Sequence, residues 1–211
     1  MIEETVYQHY LAALLAGRRV ECHRMVQGLL EAGIDILELY TALFQQSMYR
    51  VGELWETNRI TVANEHLSTS ITESLLNLAY PSIFATERTG RKAVISCCAN
   101  EFHQMGGKMV ADVFELCGWD GYFLGANSPP EDTAKYIQEV QPDVVGLSLS
   151  ILSNIDRLKQ HIEIIRAHFP NMDILVGGQA FRWGGIDMIN QYAGTEYISS
   201  LNDLEKMIKG M

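Results

Sequence analysis

No apolar run in the 211-residue sequence approaches the roughly 20 residues that a membrane-spanning helix needs. The opening residues, MIEETVYQHY, are acidic and lack the basic start and apolar stretch of a signal peptide, so a cytoplasmic protein is expected. Clusters of lysine and arginine are missing too. With a formal net charge of −10, the surface as a whole is a poor partner for phosphate backbones, and direct nucleic-acid binding is not expected. Cysteine is scarce: Cys22, Cys97, Cys98 and Cys117 contain no C-x-x-C pair, which removes the usual zinc and thioredoxin-like signals. Cys97 and Cys98 end a predicted strand and read as packing or site-lining residues. Internal repeats and low-complexity stretches are absent. The glycine-rich run GGQAFRWGG, residues 177–185, lacks the G-x-G-x-x-G order and follows a fourth strand, so dinucleotide binding is not indicated.

What is present suits a packed, globular chain: 47% of residues are apolar and 20% charged. The pattern changes character near ATERTGRK, residues 85–92. Before it, apolar residues recur at helical spacing. Four helices are predicted, over about 3–16, 19–32, 35–55 and 61–78, the first two ending at Gly17 and Gly33 and the last before Pro81. Short connections imply an antiparallel bundle over residues 1–88. After the change, short β-rich runs alternate with helical patterns of 10–15 residues. The strands are AVISC, GYFLG, VVGLSL, ILVGG and EYISS, which predicts a five-stranded parallel sheet with helices on both faces over residues 89–211. The fold class is therefore α/β, Rossmann- or flavodoxin-like, preceded by an all-α four-helix bundle. In such sheets ligands sit beyond the carboxyl ends of the strands, near the point where strand order reverses.

The loop after the first strand, ANEFHQMGG, brings Glu101, His103, Gly106 and Gly107 to that place. Alone, His103 reads equally well as a capping or solvated residue. A metal-binding imidazole, however, needs its second ring nitrogen held, and Glu101 is near enough to hold it. The two glycines remove side chains where something bulky would pass close to the backbone. His9, His23, His161 and His168 lie in helical patterns and read as surface or packing residues; Trp119 and Trp183 have no spacing partner.

The spacing Glu101-x-His103-x-x-Gly106 resembles the D-x-H-x-x-G motif of cobalamin-binding domains, in which the histidine replaces the cofactor's own base below cobalt. GLSLS (residues 146–150) resembles that family's serine segment beside the nucleotide tail, and VGGQAF (176–181) its glycine pair lining the tail's slot. LGANSPPED, after the second strand, is in the style of these domains. The resemblance implies a corrinoid held between the helical cap and the α/β domain, with His103 as the metal ligand. It further implies cofactor contacts from Glu101, Phe102, Gln104, Met105, Gly106, Ser148, Ser150, Gly177, Gly178 and Phe181. Glutamate in place of aspartate departs from the methionine synthase pattern and is similar to the photoreceptor branch.

In the helical part, Trp55 is followed ten and eleven positions on by Glu65 and His66, which resembles the W-x(9)-E-H signature of CarH-type adenosylcobalamin light sensors. The resemblance implies that the tryptophan packs over the adenosyl group and that the glutamate and histidine contact it. An aromatic roof with polar neighbours suits a nucleoside. The plainer alternative is a core tryptophan beside an exposed Glu65-His66 pair. Two departures stand out. Those repressors begin with a DNA-binding domain, for which no residues precede Met1. Glu56 also stands where they carry a histidine that binds cobalt after light, so His66 or water would take that place. The expectation is a light-responsive adenosylcobalamin sensor acting through self-association or a protein partner such as a transcriptional regulator. The alternative is a methylcobalamin-dependent corrinoid carrier serving methyltransferases. A storage or delivery module and a corrinoid-free flavodoxin-like domain are further readings.

Overall fold

A computed structural model describes all residues, 1–211, and divides them into two compact units, Met1–Ala85 and Thr86–Met211. In the first unit, α1 (Glu4–Leu15) and α2 (Arg19–Glu31) close at Gly17 and Gly33, as the spacing predicts. The third predicted helix, 35–55, is continuous but not uniform. It runs as α3 (Ile36–Glu38), a π-helical stretch (Leu39–Gln45) and α4 (Gln46–Glu56). The wider π turn lets Leu39, Tyr40, Leu43 and Phe44 all face the core, where Tyr40 and Phe44 lie 6.0 Å apart. Asp35 accepts a hydrogen bond from the Glu38 backbone and so starts this helix.

The fourth helix, α5 (Val62–Leu76), begins with a reciprocal Thr61–Asn64 capping box. The predicted stop before Pro81 is not a stop. A short 3₁₀ turn (Asn77–Ala79) leads into α6 (Tyr80–Ile83), with Pro81 in the first turn, where a missing N–H costs nothing. The core of this unit is Tyr10, Leu14, Leu39, Leu43, Phe44, Ile71, Leu75 and Leu76, all essentially without solvent contact.

The second unit carries β1 (Lys92–Cys97), α7 (Met105–Leu116), β2 (Asp120–Phe123), α8 (Pro130–Val140), β3 (Val144–Ser148) and α9 (Ile155–His168), followed by β4 (Asp173–Gly177). The short α10 (Ile186–Ile189), β5 (Thr195–Tyr197) and α11 (Leu201–Gly210) complete it. All strands are parallel, in the order β2-β1-β3-β4-β5. α7 packs beside α11, and α8 beside α9. The five-stranded parallel sheet is therefore as expected.

One crossover is not: between β4 and β5 a 10–15-residue helix was predicted, and a 3₁₀ turn (Gln179–Trp183) plus α10 stands there instead. Gly178, Gly184 and Gly185 all have positive φ, which interrupts any longer helix. At Gly178 (φ +117°) the reason is close approach. A Cβ there would lie 2.1 Å from the Leu149 carbonyl oxygen, so only glycine lets the ends of β3 and β4 meet.

The α8–α9 contact holds a buried histidine. His161 has no solvent exposure, and its Nε2 lies 3.1 Å from Thr133 Oγ1. Burial pushes its pKa down from 6.5 to about 4, so the ring is neutral in the fold. An unfolded histidine takes its proton near pH 6.5 and the folded one only near 4, so stability falls as pH drops through that window. At about 1.4 kcal/mol per pH unit the loss is about 3 kcal/mol. Amide exchange in α8 and α9, measured between pH 7 and 4, is expected to show this slope, and His161→Leu to flatten it.

Candidate functional site

The carboxyl ends of β1 and β3 flank the point where the strand order reverses, and the loops after β1, β2 and β3 converge there. Immediately after β1 the chain turns sharply: Asn100 adopts φ +64°. The turn sends the Glu101 side chain inward, where it has no solvent exposure, and leaves the His103 side chain about half exposed, at 51%.

The Glu101 carboxylate is fully engaged. One oxygen accepts from His103 Nδ1 at 2.7 Å and from the His103 backbone N–H at 3.0 Å. The other accepts the backbone N–H groups of Ser150 at 2.8 Å and Ile151 at 3.0 Å. Burial alone would raise the Glu101 pKa. The His103 ring and the backbone donors of His103, Ser150 and Ile151 outweigh it and hold the group below the ordinary 4.5. An ionised carboxylate can only accept, so the ring proton sits on Nδ1 and the lone pair on Nε2. This is the tautomer that a metal-binding histidine requires, with its second nitrogen held by a carboxylate.

The two glycines of the loop differ. A Cβ on Gly107 would press on Phe123 at 2.9 Å and Cys97 Sγ at 3.3 Å, so this glycine is needed for helix–sheet packing. A Cβ on Gly106 meets nothing within 4 Å: the surface beside His103 is open. Around it, Phe102 is 68% exposed, Gln104 precedes α7 and Met105 starts it. Burial pushes the Cys97 thiol up to about 12, with Glu101 adding to the rise, so it is an inert packing group here.

Ser148 ends β3, in register with Cys97 on one side and Gly177 on the other. Ser150 enters the site through its backbone N–H. Phe181 is buried, its ring 5.1 Å from that of Tyr197 within the core of the α/β unit.

In the helical unit Trp55 stands at the end of α4, 46% exposed. It lines an open depression of about 560 Å³ with Asn58, Arg59, Ile60, Thr61, Val62 and Asn64. Glu65 and His66 lie on the first turns of α5. Glu65 accepts from Thr69 Oγ1 at 2.9 Å, and His66, largely exposed, lies 3.5 Å from Glu65.

Sequence reasoning missed three asparagines around Glu101. Asn127 Oδ1 accepts the Asn100 backbone N–H at 2.8 Å, and the Asn127 N–H donates to the Glu101 carbonyl at 2.8 Å. Asn154 Nδ2 donates to the Asn100 carbonyl at 3.1 Å. The only hint was local: an asparagine in the turn-rich LGANSPPED.

A histidine in this tautomer, beside an open glycine at a parallel-sheet switch point, has the arrangement of a metal-binding residue. Residues 91–195 match the B12 binding domain family, and residues 6–80 match a second family that is also described as a B12 binding domain. The chain belongs to the B12-binding-domain proteins and is a cobalamin-binding protein.

Among curated relatives it is 29% identical over 153 residues to the HTH-type transcriptional repressor CarH of Myxococcus xanthus, covering 72% of this chain and 50% of CarH. It is likewise 29% identical over 126 residues to the repressor CarA of the same organism, covering 59% and 43% of the two chains. The chain thus spans about half the length of these relatives. The fold matches that of the Methanosarcina barkeri monomethylamine corrinoid protein along the full length of both chains, with a TM-score of 0.83 and 14% identity. No helix is long and apolar enough to cross a membrane.

Glu101→Ala leaves the backbone N–H groups of His103, Ser150 and Ile151 without their acceptor. At about 1 kcal/mol each, a stability loss of about 3 kcal/mol is expected in urea unfolding at pH 7. Because the Glu101 pKa is lowered, the wild-type advantage is present above the ordinary carboxylate pKa and disappears as pH falls through the lowered value.

Proposed function

We propose that this chain is a light-responsive adenosylcobalamin sensor. His103 Nε2 would ligate the cobalt, with Glu101 holding the ring in its ligating tautomer. Phe102, Gln104, Met105 and Gly106 would hold the corrin. Ser148, Ser150 and Gly177 would border the nucleotide tail, with Gly178 and Phe181 shaping that wall through the backbone and the core. Trp55, Glu65 and His66 would contact the adenosyl group. When bound, adenosylcobalamin supplies a cobalt–carbon bond that visible light breaks. The protein's part is to hold the cofactor, shelter the adenosyl group and change its own contacts once that group has left. The output then passes to a second copy of the chain or to a protein partner such as a transcriptional regulator.

The observation that carries this reading is the large exposed Trp55 ring lining an open depression, ten residues before Glu65 and eleven before His66, in a chain 29% identical to CarH. An exposed tryptophan beside a depression is unusual for a residue whose only task is packing. A second reading, a corrinoid carrier for methyltransferases loaded with methylcobalamin, is favoured by the full-length fold match to the monomethylamine corrinoid protein.

The protein reconstituted with adenosylcobalamin in the dark is expected to change its absorption spectrum irreversibly under green light and to shift its elution volume on a sizing column. Photolysis no different from that of free cofactor, with an unchanged elution volume, would favour the carrier. Trp55→Ala is expected to weaken adenosylcobalamin binding about tenfold or more, the loss of one aromatic contact, while leaving hydroxocobalamin binding within about threefold. Equal losses would remove the adenosyl role of Trp55.

A further inference from the structure

We propose that Asn127, in the loop after β2, is a positioning residue that holds the His103 ring in line for cobalt; this rests on the reading of His103 as the lower ligand. The Glu101 carboxylate is tied to the β3 loop through Ser150 and Ile151, and its backbone N–H donates to the Cys98 carbonyl at 3.0 Å within the turn. Asn127 supplies a further hold. Its side-chain Oδ1 accepts the Asn100 N–H at 2.8 Å and its backbone N–H donates to the Glu101 carbonyl at 2.8 Å, gripping two successive residues. Asn154 adds a bond from the β3 side to the Asn100 carbonyl, at 3.1 Å.

Both Asn100 (φ +64°) and Asn127 (φ +49°) sit in the left-handed region, which asparagine tolerates better than most side chains. The β2 loop is itself anchored, because Cys97 N–H donates to the Gly125 carbonyl at 3.1 Å and Ser128 N–H to the Cys97 carbonyl at 3.2 Å. The clamp therefore grips from a fixed base. Glu101 is held in its backbone from β2 and in its carboxylate from β3, and the His103 ring inherits that fixed direction. The bonds that Asn127 makes here go to Asn100 and to the Glu101 main chain, so its effect on the His103 ring runs through the loop.

The test compares Asn127→Gly, which keeps the left-handed turn but loses the acceptor, with Asn127→Asp, which keeps both. In the cofactor-free protein, Asn127→Gly is expected to speed amide exchange over residues 101–105 while leaving α8 and α9 unchanged. With hydroxocobalamin as probe, absorbance titration is expected to show affinity about tenfold weaker for Asn127→Gly, the equivalent of one hydrogen bond, and within about twofold of wild type for Asn127→Asp. In a His103→Ala background Asn127→Gly is expected to change affinity less than about twofold, because the pathway it acts through is gone. The proposal is overturned if Asn127→Gly binds like wild type, or if it loses as much affinity without His103 as with it. If His103→Ala alone leaves both affinity and spectrum at wild-type values, the ligand reading itself fails, a result separate from either of these.

Discussion

A carboxylate with no solvent exposure stays ionised only when donors replace the water it has lost. Glu101 meets this condition through four hydrogen bonds, two from His103 and two from the backbone after β3. Each bond has a structural consequence. The pair from Ser150 and Ile151 joins the loops on either side of the switch point. The bond from the His103 backbone closes the turn, and the bond from Nδ1 sets which ring nitrogen carries the lone pair.

The sheet makes that arrangement possible. β1 and β3 are neighbours, with Cys97 opposite Ser148, so the loops that leave them diverge and leave a crevice that a side chain from one loop can bridge. At the far side, Ser148 opposite Gly177 and the close approach at Gly178 carry β4 into the same rim. The helices below supply a conventional apolar core, with His161 as its one titratable intrusion between α8 and α9.

Much of this was legible in the residues. Short continuous apolar runs such as VVGLS and ILVGG, separated by helical segments, read as buried parallel strands, and a strand overlaps each of the five predicted runs. The pairing of Glu101 with His103 was legible because a metal-binding imidazole needs a carboxylate within reach, and two residues along a loop is within reach. The crossover after β4 was not legible as a pair of short turns. Its glycines were visible, but their positive φ depends on how closely β3 and β4 pack. The π stretch at Leu39–Gln45 was hidden for a similar reason, because its apolar pattern satisfies a helix of ordinary pitch almost as well.

The sequence by itself determined the alternation of strands and helices, because periodicity is local, while the cofactor class followed from its resemblance to cobalamin-binding domains, which the B12 binding domain matches bear out. Only the tertiary structure decided that Ser150 contributes its backbone N–H, that Phe181 is a core ring, and that Asn127 reaches across to grip Asn100 and Glu101. Those contacts join residues far apart in the chain, several of them through main-chain atoms, which every residue possesses and which therefore leave no mark on the sequence.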